Sequence, residues 1–235
     1  EPFHQDQING SRFMREIYTR DTPDYTGRVT VPVLWDKQQS CIVSNESAEI
    51  IRMLNTAFDG IGAAGCDFYP EALREEIDGV NERVYNEFNN GVYRAGFATA
   101  QDKYEKAFHQ VFDTLDWLET RLSGQRYLAG NRLSEADWRL FTTLVRFDAV
   151  YYSHFKCNRA QIRDFPAVQG YLQDLYQVPG VAETVNIDQI KRHYYRSQGT
   201  INPTGIVPVG PALQLDGDHG REKLGPDFPG ACSAA

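Results

Sequence analysis

Arg28-Val29-Thr30-Val31-Pro32-Val33-Leu34-Trp35-Asp36, followed by Asn45-Glu46-Ser47-Ala48-Glu49-Ile50-Ile51, is the stretch that decides the fold. The first run alternates and is β-branched, which predicts a strand. Pro32 has no N–H to give to a ladder, so it marks the entry of a strand rather than the middle of a central one. The Val31–Pro32 step can take a cis bond. Cys41-Ile42-Val43 reads as a short return strand. The second run opens polar and then places Ala48, Ile51, Leu54 and Phe58 at helical spacing. A helix N-terminus has unpaired N–H groups and a positive dipole end, which suits a carboxylate. Ser47 can add a hydroxyl donor, and Glu46 can pair with an ammonium. The plainer alternative is that Ser47 or Asn45 only caps the helix and Glu46 is a solvated first-turn carboxylate.

The bounds fit this local reading. The chain has 235 residues, enough for one large or two small domains at ~100–200 residues each. A hydrophobic content of 41% and a charged content of 24% are ordinary for a globular protein with a core. The net charge of −8 argues against nucleic acid or an anionic membrane as partner. No run approaches the ~20 apolar residues of a membrane span. The opening Glu1-Pro2-Phe3-His4-Gln5-Asp6 is polar and does not read as a signal peptide. Cys41, Cys66, Cys157 and Cys232 are widely spaced with no C-x-x-C pair, so free thiols in a reducing cytoplasm are expected.

Before Arg28, Phe13, Ile17 and Met14 form one side of a short helix, and Asp21-Thr22-Pro23-Asp24-Tyr25-Thr26-Gly27 is turn chemistry. Residues 1–58 are therefore read as the distal part of a thioredoxin-like domain. Gly60-Ile61-Gly62-Ala63-Ala64-Gly65 spells G-x-G-x-x-G, but it follows a helix, and a dinucleotide fingerprint must follow a strand. Residues 59–70 are read as a linker.

From residue 71 to 196 the pattern is helical. Leu73, Ile77, Val80, Val84, Phe88 and Val92 share one face; Tyr104, Phe108, Val111, Leu115, Leu118 and Leu122 share another, with Gly124 as a C-terminal stop. Ser134 and Asp137 sit as N-cap and N3 of a capping box, flanked by Leu133 and Trp138 as a hydrophobic staple. Phe165-Pro166-Ala167-Val168 starts a further helix with Pro in its first turn. Residues 197–235 are rich in Gly and Pro and read as an extended tail that wraps the domain or is partly mobile. His154-Phe155-Lys156-Cys157 is a lone H-x-x-C, read as structural, and no metal is expected.

Val-Pro-Val-Leu before a Glu-Ser helix start resembles the glutathione-binding half of glutathione transferases. Asn89-Asn90-Gly91-Val92-Tyr93 and His193-Tyr194-Tyr195-Arg196-Ser197 resemble two segments of one class, the xi class or glutathionyl-hydroquinone reductases. The resemblance spans roughly residues 10–210. It implies an α/β plus all-α chain, with a partial thioredoxin-like domain followed by an all-helical glutathione transferase C-terminal domain. It implies that Val31 pairs its backbone with glutathione, that Glu46 and Ser47 hold the γ-glutamyl group, and that Arg15 is a further contact. Arg15 as a solvated surface residue is the alternative. Tyr93 and Tyr194 match tyrosines that contact the aromatic substrate and assist proton transfer, and Tyr195 could line the same pocket. A phenol is both an apolar wall and a hydrogen-bond donor.

The implied activity is glutathione-dependent reduction of glutathionyl-hydroquinones, with glutathione as co-substrate, in a cytoplasmic homodimer. The family's nucleophile is a Cys in a Cys-Pro-Trp-Ala motif. No Cys-Pro occurs in this sequence. The nucleophile is therefore expected upstream, either because the chain is a fragment or because an N-terminal portion is not represented. The rival functions are a general glutathione transferase that conjugates electrophiles and a non-catalytic scaffold of the same fold.

Overall fold

The computed structural model describes residues 6–62 and 65–225. The chain divides into two compact units, Glu1–Ala64 and Gly65–Ala235, each described by itself.

In the first unit, helix α1 (Met14–Asp21) precedes a hairpin of β1 (Leu34–Asp36) and β2 (Cys41–Ser44), and helix α2 (Ser47–Thr56) follows. The two strands are antiparallel, pairing Trp35 with Ile42 and Asp36 with Cys41. Asp36 Oδ1 closes the turn by accepting the N–H groups of Gln38 (2.7 Å) and Gln39 (2.9 Å). Asp21 ties α1 to the hairpin, its Oδ1 accepting the Ile42 N–H at 2.7 Å.

Several expectations for this unit need correction. The strand is much shorter than the run 28–36, because residues 29–33 have no ladder partner among the described residues; Val31–Pro32 is cis. Phe13 and Met14 are exposed rather than part of a buried face, which is carried by Ile17 and Tyr18. On α2 only Ile50 is buried, and Leu54 and Phe58 stay exposed, because two short strands offer too little surface to cover a full helix stripe. Cys41 lies within β2 and is half-buried. The glycine-rich stretch leaves α2 through a 3-10 turn (Asp59–Ile61) and so lacks the strand-to-helix geometry of a dinucleotide site; its Ala63 and Ala64 lie outside the described residues.

The second unit is helical. Helix α3 (Arg74–Arg83) passes through a π-helical turn (Val84–Asn89) into α4 (Asn90–Gly96), and α5 (Gln101–Gly124) packs along them. Helix α6 (Glu135–Arg146) runs into a second π-helical turn (Phe147–Tyr151); α7 (Pro166–Tyr176) and α8 (Ile187–Ser197) complete the unit. The expected faces carry the core: Ile77, Phe88, Val92, Val111, Leu115, Leu118 and Leu122 are fully buried. Each such side chain contributes about 1.5–3 kcal/mol of transfer free energy. Gly91 lets α4 approach α5, since a Cβ there would stand 2.9 Å from Val111 Cγ2. Gly124 ends α5 without a left-handed conformation.

Asp137 is a hub rather than only a cap. Its Oδ2 accepts the N–H (2.8 Å) and Oγ–H (2.9 Å) of Ser134, and its Oδ1 accepts the Leu128 N–H (2.8 Å) and Tyr171 O–H (2.8 Å). Glu119 of α5 caps α7 by accepting the N–H groups of Ala167 and Val168 at 3.0 Å.

The tail wraps the helices as far as Gly225; the rest lies outside the described residues. Lys191 donates to the carbonyls of Val209 (2.8 Å) and Gly210 (2.9 Å). Buried Arg221 donates to the carbonyls of Leu122, Gln125, Arg126 and Ala167. It thus places a cation on the orphan carbonyls at the end of α5, where the helix dipole favours one. Arg126 forms a buried bidentate pair with Asp174 (both 2.8 Å) and reaches the Gly225 carbonyl. Cys66 is disulfide-bonded, which corrects the expectation of four free thiols; Cys41 and Cys157 are free, and Cys232 lies outside the described residues. No helix among the described residues is long and apolar enough to cross a membrane.

Two stability predictions follow from these contacts. Arg221→Ala removes the donor to four carbonyls and should lower unfolding free energy by about 3 kcal/mol in urea denaturation; an unchanged midpoint would show that the tail is not clamped there. Burial pushes the Asp148 carboxyl up to about 6, although it accepts the Ile162 N–H and lies near Arg163. The fold therefore favours the protonated form, a contribution present near pH 4 and lost as pH rises through 6. Asp148→Asn should gain about 2–3 kcal/mol on the wild type between pH 4 and pH 7, at about 1.36 kcal/mol per pKa unit. A gap that does not change with pH would contradict this.

Candidate functional site

In the first unit, three polar side chains bring the segment before Pro32 to the start of α2. The Tyr18 hydroxyl donates to the Thr30 carbonyl at 2.9 Å, and Asn45 Nδ2 donates to the Tyr18 hydroxyl at 3.1 Å. Thr30 precedes Val31 and Asn45 precedes Glu46, so this hub sets the extended backbone at Val31 beside the helix opening. The hydrogen bonds to the Tyr18 hydroxyl hold that phenol below its usual range, against the opposing effect of burial, which is the largest single influence on it.

Val31 is 71% exposed, and Glu46 and Ser47 are exposed as well. Glu46, not Ser47 or Asn45, is the N-cap, and its side chain makes no capping bond. The Glu46 carbonyl accepts the N–H groups of Glu49 and Ile50, both at 3.0 Å, which leaves the first N–H groups of α2 facing outward. The arrangement is an open, polar, anion-accepting corner with a carboxylate at its edge. Arg15 is exposed on α1, its guanidinium 4.3 Å from the Phe13 ring centre.

In the second unit, the hydroxyls of three tyrosines meet. Tyr93 of α4 and Tyr194 of α8 share a hydrogen bond, and Tyr151 bonds to Tyr194 at 2.9 Å. Tyr93 is 38% exposed, whereas Tyr151 and Tyr194 are buried. The Asn186 side chain fixes the start of α8 by accepting the Gln189 N–H at 2.9 Å. The π-helical turn adds a residue to the end of α6 and so sets the direction of Tyr151. Phe155 stacks on Tyr151 with ring centres 5.4 Å apart and tilts against Tyr93 at 5.3 Å. Gly96 makes that possible, since a Cβ there would lie 2.2 Å from the Phe155 ring. Burial pushes Tyr151 and Tyr194 well above the usual phenol range; Tyr93 adds to this at both, while the hydrogen bond with Tyr151 opposes it at Tyr194, and both stay protonated.

Tyr195 does not join the three: its hydroxyl bonds to Ser153 and its ring lies 4.5 Å from His154. His154 bonds to Gln198 at 2.8 Å. Burial pushes the Cys157 thiol up to about 12, leaving it unreactive. Among the described residues no group of three or more His, Cys, Asp or Glu could hold a metal. Sequence reasoning missed Tyr151 and the Tyr18–Thr30–Asn45 hub. The spacing Phe147, Tyr151, Phe155 is an aromatic stripe at four-residue steps, a signal that could have flagged Tyr151.

Tyr194→Phe would leave the buried Tyr151 hydroxyl without its 2.9 Å partner and should cost about 1–3 kcal/mol in urea denaturation. Tyr93→Phe, at a partly exposed position, should cost distinctly less. Equal losses would contradict this reading of the cluster.

Residues 101–174 match the family model for the glutathione S-transferase C-terminal domain, and residues 11–57 match that for the N-terminal domain. The chain is 56% identical over 217 residues to glutathionyl-hydroquinone reductase YqjG of Escherichia coli K12, covering 92% of this chain and 66% of that protein. It is 56% identical over 212 residues to glutathionyl-hydroquinone reductase PcpF of Sphingobium chlorophenolicum, covering 90% and 68%. The glutathione-bound structure of E. coli YqjG superposes with a TM-score of 0.91 at 56% identity, over 92% of this chain and 71% of that one. The xi glutathione transferase of Phanerochaete chrysosporium gives 0.86 at 50% identity, over 88% and 71%. The chain thus spans about two thirds of the length of the curated relatives it matches. With both domains of the fold matched and 56% identity to each of the two curated relatives over at least 90% of its length, the chain belongs to the xi class of glutathione transferases, the glutathionyl-hydroquinone reductases.

Proposed function

We propose that the protein reduces glutathionyl-hydroquinones to hydroquinones, with release of oxidised glutathione. The observation that carries this is the meeting of the Tyr93, Tyr151 and Tyr194 hydroxyls at a partly exposed aromatic edge. Glutathione belongs on the first unit, with the Val31 backbone along its cysteinyl amide, Ser47 and the free N–H groups of α2 on its γ-glutamyl carboxylate, and Glu46 on its ammonium. Arg15 is a more distant contact. Tyr93 and Tyr194 face the aromatic ring; Tyr195, turned to Ser153 and His154, takes no part in that wall.

The chemistry needs a thiolate, which we assign to the family's Cys-Pro motif; among the described residues Cys157 is buried, Cys66 is disulfide-bonded and Cys41 lies within β2, and none of the three opens a helix. The thiolate attacks the sulfur of the glutathionyl-hydroquinone, forming an S–S bond as the aryl C–S bond breaks. The electron pair goes to the aryl carbon, which takes a proton from the phenol cluster. A second glutathione resolves the mixed disulfide by thiol–disulfide exchange. One glutathionyl-hydroquinone and one glutathione yield one hydroquinone and one oxidised glutathione.

A homodimer is part of this proposal, on the family resemblance. A cytoplasmic location is also part of it, on the free thiols of Cys41 and Cys157. The disulfide at Cys66 is the observation against that location. The assay that tests the function uses the full-length protein with a glutathionyl-hydroquinone and, separately, with a chlorinated arene. Reductase turnover without conjugation is expected, and Tyr93→Phe should lower that turnover about 100-fold. Conjugation alone would favour the electrophile transferase, and undiminished turnover in Tyr93→Phe would remove the phenols from the reaction.

A further inference from the structure

Cys66 is one half of a disulfide, and nothing in the proposed reaction uses it. It lies at the start of the second unit, which begins at Gly65. The chain has four cysteines. Cys41 and Cys157 are free thiols. Of the chain's own cysteines, only Cys232 in the tail is left to pair with Cys66.

The described part of the tail is led to the same place. Buried Arg126 holds the Gly225 carbonyl at 2.8 Å, and a Cβ on Gly225 would stand 3.1 Å from Asn131 Cγ. The next residue, Arg132, donates from Nη2 to the Asp67 carbonyl at 3.0 Å. The tail and the residue after Cys66 therefore meet one step of chain, Asn131–Arg132. The Glu135 N–H donates to the Phe68 carbonyl at 2.8 Å, which pins the segment beside Cys66 to the start of α6. Cys232 follows Gly225 by seven residues, and a chain of that length reaches at most about 25 Å. That is ample between two points held by neighbouring side chains, with Arg126 and Arg221 left in place.

We infer that Cys66 and Cys232 form a redox-sensitive staple that fastens the tail to the start of the helical unit, opened by glutathione and closed by oxidised glutathione. Cys66 is half-buried, so a small thiol can reach it. A glutathione thiolate attacks one sulfur of the staple, giving a mixed disulfide and one free cysteine. A second glutathione attacks the glutathione sulfur of that mixed disulfide and releases the other cysteine. One disulfide and two glutathiones thus give two cysteine thiols and one oxidised glutathione, and the reverse exchange closes the staple. The proposed reductase reaction consumes glutathione and yields oxidised glutathione, so turnover drives the staple toward closure. That link rests on the proposed function; the pairing does not. Closed, the staple adds a covalent constraint beyond the Arg221 and Arg126 clamp; open, the tail is held by non-covalent contacts alone.

Two measurements on the full-length protein test it. The protein is equilibrated with glutathione and oxidised glutathione at set ratios, alkylated without reductant and mapped by mass spectrometry. In oxidised glutathione one linked pair of peptides should appear, Cys66 with Cys232, lighter than the free pair by two hydrogen atoms. It should disappear as the share of glutathione rises. Cys66 linked to any cysteine other than Cys232, Cys66 alkylated or carrying glutathione at every ratio, or a pair that survives excess glutathione overturns the inference. In the second measurement, tryptic cleavage after the exposed Lys223 should be about tenfold slower in the closed form than in the open one. Cys232→Ser should be cleaved at the open rate under both conditions. Equal rates for the wild type in both would show that the bond fastens nothing. Neither measurement needs turnover, so a failed reductase assay leaves the staple standing, and a failed staple leaves the reductase reading standing.

Discussion

Three phenol hydroxyls meeting at one point is a demanding arrangement, and the helical unit is organised so that they can. The three rings come from α4, from the π-helical turn after α6 and from α8. Each hydroxyl inside an apolar wall needs a partner, because an unpaired one costs about 1–3 kcal/mol. Tyr194 supplies partners on both sides, to Tyr93 and Tyr151. Gly96 lets Phe155 approach α4 closely, and Phe155 in turn packs against Tyr151 and Tyr93. The cluster is therefore a packing solution that still leaves one phenol, Tyr93, at an exposed edge.

The frame around it is held by buried charge used as mortar. Asp137 gathers four donors from three segments, Glu119 caps α7 from α5, and Arg221 closes the end of α5 with the returning tail. Such groups are expensive to bury and add stability only when every partner is in place. Their value is register: a tail with no periodicity of its own still takes one path, because Lys191, Arg126 and Arg221 find backbone carbonyls along it.

The sequence carried the helical unit well because its signals are local. The stripes through Ile77 to Val92 and through Val111 to Leu122, and the Ser134 cap, depend on residues three or four apart. Glu46 and Ser47 were legible from the helix-start signal, and Val31 only through the family resemblance. What held that corner together was not, since Tyr18, Thr30 and Asn45 meet across intervals of 12 to 27 residues. Tyr151 was hidden for a similar reason. A tyrosine in an aromatic stripe looks like any core residue until the register added by a π-helical turn, which has no clear sequence mark, aims its hydroxyl. The strand at 28–36 was overread because propensity cannot tell whether a ladder partner is present.

The account depends on the aryl carbon receiving its proton from this cluster after the C–S bond breaks. A single turnover of the full-length enzyme in D2O, with product analysed by mass spectrometry and NMR, tests that most directly. One deuterium should appear at the carbon that lost sulfur, at a rate that falls when Tyr93 is replaced by Phe. Product with no deuterium at that carbon, or an undiminished rate in the variant, would contradict it.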